Sequence, residues 1–270
     1  MKKVALIGFG AIAKLMVEKL SEHDIEGSIF LDSVLVKENR RQGTQKSLSS
    51  ETLVVTNLEE IINRKPDVVV ECAGQGAVAE YAEAILTAGI DLMVISTGAF
   101  TDDDLRERLI SKAGESGAQI LLPSGAIAGI DGMGSLLIGG LNKVRYTSTK
   151  PPLAWKATPA EEAFDLQNIA ERTVLFSGTA RDAAKLYPKN ANLAATVALA
   201  GLGFDKTEIQ LIADPAVAPN NVGQIEAEGD FGRMTVECCG MPAPDNPKTS
   251  ATTALSLTYA LLRDQRIVVL

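Results

Sequence analysis

The strongest constraint on this chain is its opening segment, an apolar run followed at once by Gly8-Phe9-Gly10-Ala11-Ile12-Ala13. Lys2 to Ile7 suits a short strand buried on both faces. From Ala11 to Leu20, Ile12, Leu15, Met16 and Leu20 recur at helical spacing. Between strand and helix, Gly8 permits a tight turn and Gly10 lets the backbone approach a pyrophosphate. Ala13, in place of a third glycine, still allows the helix to pack closely on the strand. The helix start then offers its free N–H groups to phosphate oxygens. A strand–turn–helix of this kind predicts a site for NAD or NADP.

The rest of the first 122 residues supports that reading. Strands are predicted over Ser28–Val36, Leu53–Val55, Asp67–Glu71, Asp91–Ser96 and Gln119–Leu122. Helices are predicted over Leu58–Arg64, Gly76–Ala88 and Asp102–Gly114, and Lys37–Ser50 reads as a loop or weak helix. Regular alternation of strand and helix implies a Rossmann-type, doubly wound parallel sheet in an α/β fold. After Pro123 the rhythm changes. Strands are expected over Lys143–Thr149, Leu153–Ala157, Lys206–Ala213, Gly223–Gly229 and Phe231–Glu237, with helices over Ala160–Gln167, Thr179–Leu186 and Asn192–Gly201. This pattern predicts a second α+β domain. The expected division is a dinucleotide-binding domain at 1–122 and a substrate and dimerisation domain at 123–246. The remaining 247–270, with a helix over Thr249–Arg263, is expected to pack back on the first domain.

Composition narrows the class. With 270 residues, 46% hydrophobic and 22% charged, the chain resembles an ordinary two-domain globular enzyme. A net charge of −8 without clustered Lys or Arg argues against nucleic acid as a partner. Three cysteines, Cys72, Cys238 and Cys239, are too few for a disulfide framework and lack zinc-site spacing, so no metal is expected. No secretory leader and no membrane span is expected, and a cytoplasmic location follows.

Three strand-end segments are rich in small residues: Ala73-Gly74-Gln75-Gly76, Ser96-Thr97-Gly98-Ala99-Phe100 and Pro123-Ser124-Gly125-Ala126-Ile127-Ala128-Gly129. Ligands of open parallel sheets lie across the carboxyl ends of the strands, so these segments mark a cofactor cleft that includes Gly74 and Thr97. At the end of the second strand, a carboxylate would grip the ribose 2′-hydroxyl of NAD and a cation the 2′-phosphate of NADP. Val36-Lys37-Glu38-Asn39-Arg40-Arg41 supplies both, which leaves the choice open around Lys37.

These segments carry a resemblance. GFGAIA, ECAG, STGAF, LPSGAIAGIDG, TKPP, FSGTARDAAKLYPKNANLAATVALAG, LIADP, EGDFG and NPKTS follow one another in the order and spacing of the L-aspartate dehydrogenase family. The likeness covers almost the full length. It implies NAD(P)-dependent oxidation of L-aspartate to iminosuccinate, which hydrolyses to oxaloacetate and ammonia, or the reverse. It further implies a homodimer, a small dicarboxylate or amino-acid substrate and a place in pyridine-nucleotide biosynthesis or aspartate metabolism. Ala126 and Asn192 would contact the cofactor near its nicotinamide. Asn192 would also suit the N-cap of the helix after it.

The sequence departs from the family at one position. An Asn-x-His-Glu segment, whose His is the family's proposed catalytic residue, is matched here by Asn221-Val222-Gly223-Gln224. Gly223 therefore stands where the His is expected. The single histidine, His23, falls at the end of the first helix, where a surface role is expected. A near-neutral acid–base group contributes about 10²–10⁴-fold, and glycine supplies none. Lys150, Lys185 and Lys189 are candidate replacements. A dicarboxylate also needs cationic donors, for which Lys150, Lys156, Arg181, Lys185, Lys189 and Lys248 are candidates, with Lys150 and Lys248 favoured by their Pro-flanked motifs. Two alternatives stand beside aspartate oxidation: an imine or oxo-acid reductase of the same fold, and a non-catalytic dinucleotide sensor.

Overall fold

The computed structural model describes residues 1–24, 26–243 and 246–263, without the side chains at 189, 242, 243 and 246–249. Its contacts divide the chain into two compact units. One comprises Met1–Pro123 with the C-terminal helix from Ala254, the other Ser124–Thr253.

The first unit contains β1 (Lys2–Ile7), α1 (Ala11–His23), β2 (Ile29–Leu35), α2 (Arg41–Gln45), β3 (Leu53–Val55) and α3 (Leu58–Arg64). It continues with β4 (Val68–Glu71), α4 (Gln75–Thr87), β5 (Asp91–Val94), α5 (Asp103–Ser116) and β6 (Ile120–Leu121). The strands form one parallel sheet in the order β3-β2-β1-β4-β5-β6. That order reverses direction beside β1, which places a ligand crevice at the carboxyl ends of β1 and its neighbours. Val4, Leu6, Val68 and Val70 are buried in the central strands, and Ala13, Met16 and Leu20 of α1 pack on them.

The second unit contains α6 (Ile130–Gly140), β7 (Leu141–Lys150), α7 (Ala160–Ala163), β8 (Thr173–Thr179), α8 (Ala180–Leu186) and α9 (Ala191–Ala200). Then come β9 (Glu208–Ala213), β10 (Asn221–Gly229), β11 (Gly232–Gly240), the short pair β12 (Pro242–Ala243) and β13 (Asn246–Ser250), and the start of α10 (Thr252–Arg263). Its main sheet runs β11-β10-β7-β9-β8, antiparallel except for the β7–β9 pair. Ala254, Leu257 and Leu261 of α10 are buried in the core of the first unit. Among the described residues no helix is long and apolar enough to cross a membrane.

Four local expectations fail, each for a physical reason. Leu153–Ala157 is not a strand: a 3₁₀ turn spans Pro152–Trp155. Two successive prolines remove ladder donors, and Trp155 is fully buried with its Nε1 donating to the Ile212 carbonyl at 3.0 Å. The helix expected over Ala160–Gln167 stops after Ala163. β8 has no expected counterpart, because this edge strand is mostly half-buried and a bulge near Val174 breaks its alternation. Helix α6 was also unforeseen, since four glycines at about 1 kcal/mol each disfavour a helix. Packing overrides that preference: a Cβ on Gly132 would lie 3.3 Å from Met234 Sδ, and one on Gly139 only 2.9 Å from the Phe231 ring. The glycines let α6 lie against the β10–β11 hairpin.

One ion-pair cluster ties the amino-terminal edge of the first sheet together. Asp32, 1% exposed in β2, accepts from Arg64 Nε at 2.5 Å and Nη2 at 2.6 Å, with Lys3 Nζ at 3.3 Å. Burial alone would raise the Asp32 carboxyl, but the hydrogen bonds and charges of Arg64 and Lys3 hold it below the ordinary carboxylate range. Arg64→Ala strips a buried carboxylate of its bidentate partner and should cost about 3 kcal/mol in urea denaturation at pH 7. A folded-state pKa below the unfolded one stabilises above the unfolded value and is lost as pH falls through the folded value. The gap between wild type and variant should therefore narrow below about pH 4.

Candidate active site

A cavity of about 810 Å³ opens at the carboxyl ends of the first sheet. Its lining includes Gly8, Phe9 and Gly10 after β1, Lys37, Glu38 and Arg40 after β2, and Cys72 and Ala73 after β4.

The glycine turn is built by two different requirements. Gly8 has φ +86°, and a Cβ there would lie 2.9 Å from Ala73 Cβ and 3.1 Å from the Cys72 carbonyl oxygen. Only glycine satisfies both the backbone and the approach of the β4 loop. Gly10 has no atom within 4 Å of its would-be Cβ. It is the N-cap of α1, with no side-chain cap hydrogen bond and no acid in the first turn. Gly74, at φ +128°, likewise faces open space and starts α4 without a side-chain cap or first-turn acid. Elsewhere in the unit, Asn57 caps α3 and Asp102 caps α5. Helix α1, which starts after β1, thus leaves its N-terminal donors to an outside anion, whereas at the start of α4 the Gly74 amide already donates to the Glu71 carboxylate. Gly8, Gly10, Ala11, Ile12 and Ala13 thus form the expected turn and first helical residues, with Ala13 fully buried against the sheet.

Glu71 organises the floor beside this turn. It ends the all-valine run of β4 and is 1% exposed. Its Oε1 accepts from the Ala73 and Gly74 amides at 2.7 and 2.6 Å and from Ser96 Oγ at 3.0 Å, and its Oε2 from the Ser96 amide at 3.1 Å. The carboxylate thereby fixes the loops after β4 and β5 to each other. A charge ending an otherwise apolar buried strand was the sequence signal for it, since buried charges persist only when fully hydrogen-bonded. Cys72, next to Glu71, is held as a thiol by burial and by that carboxylate, both of which raise its pKa. Thr97 lies 1% exposed in the 3₁₀ turn after β5 and does not line the cavity.

In the second unit, β10 sets Gly223 opposite Ser148 of β7 and Cys238 of β11. A Cβ at Gly223 would meet Ile127 Cγ2 and Tyr146 Oη, each at 3.3 Å. Tyr146 is 2% exposed, and burial pushes its phenol upward, so it stays protonated at neutral pH. A hydroxyl therefore borders the position of the expected histidine, a neighbour that the strand register alone reveals. Lys150 ends β7 with its Nζ 5.2 Å from the centroid of the Trp155 ring. Arg181 is engaged by Asp205 through Nε and Nη2 at 2.5 and 2.9 Å. Lys156 and Lys185 are exposed, while the side chains of Lys189 and Lys248 lie outside the described residues. Ala126 sits half-buried in the turn before α6. Asn192 is not a cap: α9 begins at Ala191 with Asn190 as N-cap, because the Pro188–Asn190 turn leads directly into it. His23 is exposed in the last turn of α1, where a cation suits the helix dipole.

The two glycines of the turn should separate in experiment. Gly8→Ala should lower stability by about 1–3 kcal/mol through its positive φ and the Ala73 contact. Gly10→Val should leave the melting temperature near wild type yet weaken calorimetric dinucleotide binding by about tenfold or more.

Comparison with known proteins agrees with this geometry. Residues 8–123 match the model of the homoserine dehydrogenase NAD binding domain, and residues 131–264 match that of the aspartate dehydrogenase C-terminal region. The chain is 44% identical over 264 residues to an L-aspartate dehydrogenase of Cupriavidus taiwanensis, with 97% of each covered. It is 43% identical over 260 residues to one of Acinetobacter baumannii, with 96% of each covered. The crystal structure of aspartate dehydrogenase from Thermotoga maritima matches with a TM-score of 0.75 at 26% identity, covering 100% of this chain and 99% of that one. With a dinucleotide turn at its start and relatives matched over nearly its whole length, the chain belongs to the L-aspartate dehydrogenase family.

Proposed function

We propose that this protein is an NAD(P)-dependent oxidoreductase interconverting L-aspartate and iminosuccinate. The observation that carries the proposal is the open Gly10 turn on an uncapped helix start, in a chain so similar to L-aspartate dehydrogenases. The dinucleotide supplies hydride exchange when bound. The chain's own residues do the rest: Gly8 and Gly10 admit the pyrophosphate, the start of α1 donates to it, and Glu71 keeps the surrounding loops in place. Lys150 is the preferred cation for a substrate carboxylate.

Gly223 leaves the proton-transfer step without its expected side chain. Oxidising an amine requires a base to remove a proton, and neither glycine nor a protonated Tyr146 phenol supplies one. The same group would be the acid in imine reduction, so its loss slows both directions alike. A reductase acting on another imine or oxo acid is the second reading, carried by the same position.

Purified protein should oxidise NADH or NADPH with oxaloacetate plus ammonia and reduce NAD or NADP with L-aspartate. No turnover in either direction would refute the proposal. Without a histidine in the second unit, the aspartate rate should show no inflection near pH 6.5. Gly223→His should introduce that inflection and raise aspartate oxidation on the order of tenfold or more. The gain should be larger in Gly223→His/Tyr146→Phe, which removes the hydroxyl crowding the new Cβ.

A cytoplasmic homodimer completes the proposal. The unpaired thiols Cys72, Cys238 and Cys239 suit a reducing compartment. Ile138 is 92% exposed, and Phe231, which packs over neighbouring Gly139, is 84% exposed, an apolar pair suited to burial between copies. Ile138→Glu/Phe231→Glu should shift the mass by light scattering from dimer to monomer, with the circular dichroism unchanged.

A further inference from the structure

The rim of the dinucleotide cavity carries more specific information than its glycine turn. A carboxylate for the ribose 2′-hydroxyl of NAD is usual near the end of the second strand. The carboxylate within β2 itself, Asp32, is consumed by Arg64 and Lys3. Beyond β2, the chain turns through a 3₁₀ element at Glu38–Arg40, closed by the Arg40 amide donating to the Lys37 carbonyl at 2.8 Å. That bond joins the two ends of the turn, Lys37 in extended backbone and Arg40, and both residues line the cavity beside Thr44 and Thr56. Both are exposed, and among the described residues no ion pair engages either of them. Glu38, between them in sequence, also lines the cavity. At the end of β2 the lining holds two cations to one carboxylate, and across the cavity Glu80 of α4 adds a second carboxylate.

We infer that Lys37 and Arg40 form a 2′-phosphate clamp that makes this chain prefer NADPH over NADH. The inference rests on the dinucleotide reading of the cavity and names the member of that class it takes. The guanidinium of Arg40 offers paired donors to phosphate oxygens, and Lys37 adds a point charge. A ribose hydroxyl offers neither cation an anionic partner, so NADH gains less from the same rim. Glu38 works against the clamp by repelling the phosphate and accepting from the hydroxyl.

Calorimetric titration of the full chain with NADPH, NADH, 2′,5′-ADP and 5′-AMP tests this without any turnover. NADPH should bind on the order of tenfold or more tightly than NADH, and 2′,5′-ADP should exceed 5′-AMP similarly. Lys37→Ala/Arg40→Ala should abolish both differences while leaving NADH affinity and the melting temperature unchanged, since both side chains are exposed. Glu38→Gln should widen the preference. Raising salt should weaken NADPH more steeply than NADH. Equal or tighter binding of NADH by the wild type would overturn the clamp, as would a double variant that loses both cofactors alike. Binding of neither dinucleotide would instead overturn the reading of the cavity itself.

Discussion

The near-contact between Gly8 and the turn at Cys72–Ala73 is the constraint on which the cofactor site depends. A side chain at position 8 would collide with that turn, so the end of β1 and the end of β4 meet at a distance only glycine allows. This approach would be worthless if the β4 loop were free to move. Glu71 prevents that by accepting four hydrogen bonds from Ala73, Gly74 and Ser96, linking the loops after β4 and β5 through one buried carboxylate. The start of α1 is thereby fixed without a side-chain cap, in contrast to the capped α3 and α5. Backbone geometry, rather than charged side chains, thus supplies the core of the proposed anion site.

The second unit follows the opposite principle around Gly223. There a glycine holds the position where the family resemblance leads one to expect a histidine, and the neighbouring Tyr146 and Ile127 border the space a side chain there would enter. A burial-raised phenol donates hydrogen bonds but does not take protons at neutral pH. In the proposed reading, the dinucleotide turn of the first unit is combined with a second unit that lacks the expected acid–base side chain at position 223. Competing carboxylates and cations at the end of β2 show a similar economy: Asp32 serves the fold, leaving Lys37, Glu38 and Arg40 to face the cavity.

Much of the fold could be read directly from the residues. Continuous apolar runs such as Val68–Val70 identify strands buried on both faces, and the glycine turn orders β1 before α1. Local signals fail where distant segments decide. Helix α6 contains four glycines and exists because Met234 and Phe231 press against it. Trp155 is drawn inward by its bond to Ile212 and turns a presumed strand into a 3₁₀ element. Asn192 resembled a cap, yet the preceding turn starts α9 one residue before it.

By itself, the sequence determined the class of cofactor, the parallel sheet that carries it and the absence of histidine from position 223. Each of these follows from local chemistry: which residues can turn tightly, bury a strand or hold a proton. Only the tertiary structure decided that Gly8 and Gly10 are glycines for different reasons, that Glu71 ties two loops together, that Tyr146 borders Gly223, and that Lys37 and Arg40 reach the same cavity. Those relations join residues far apart in the chain or across a turn, and they exist only once the strands have taken their register.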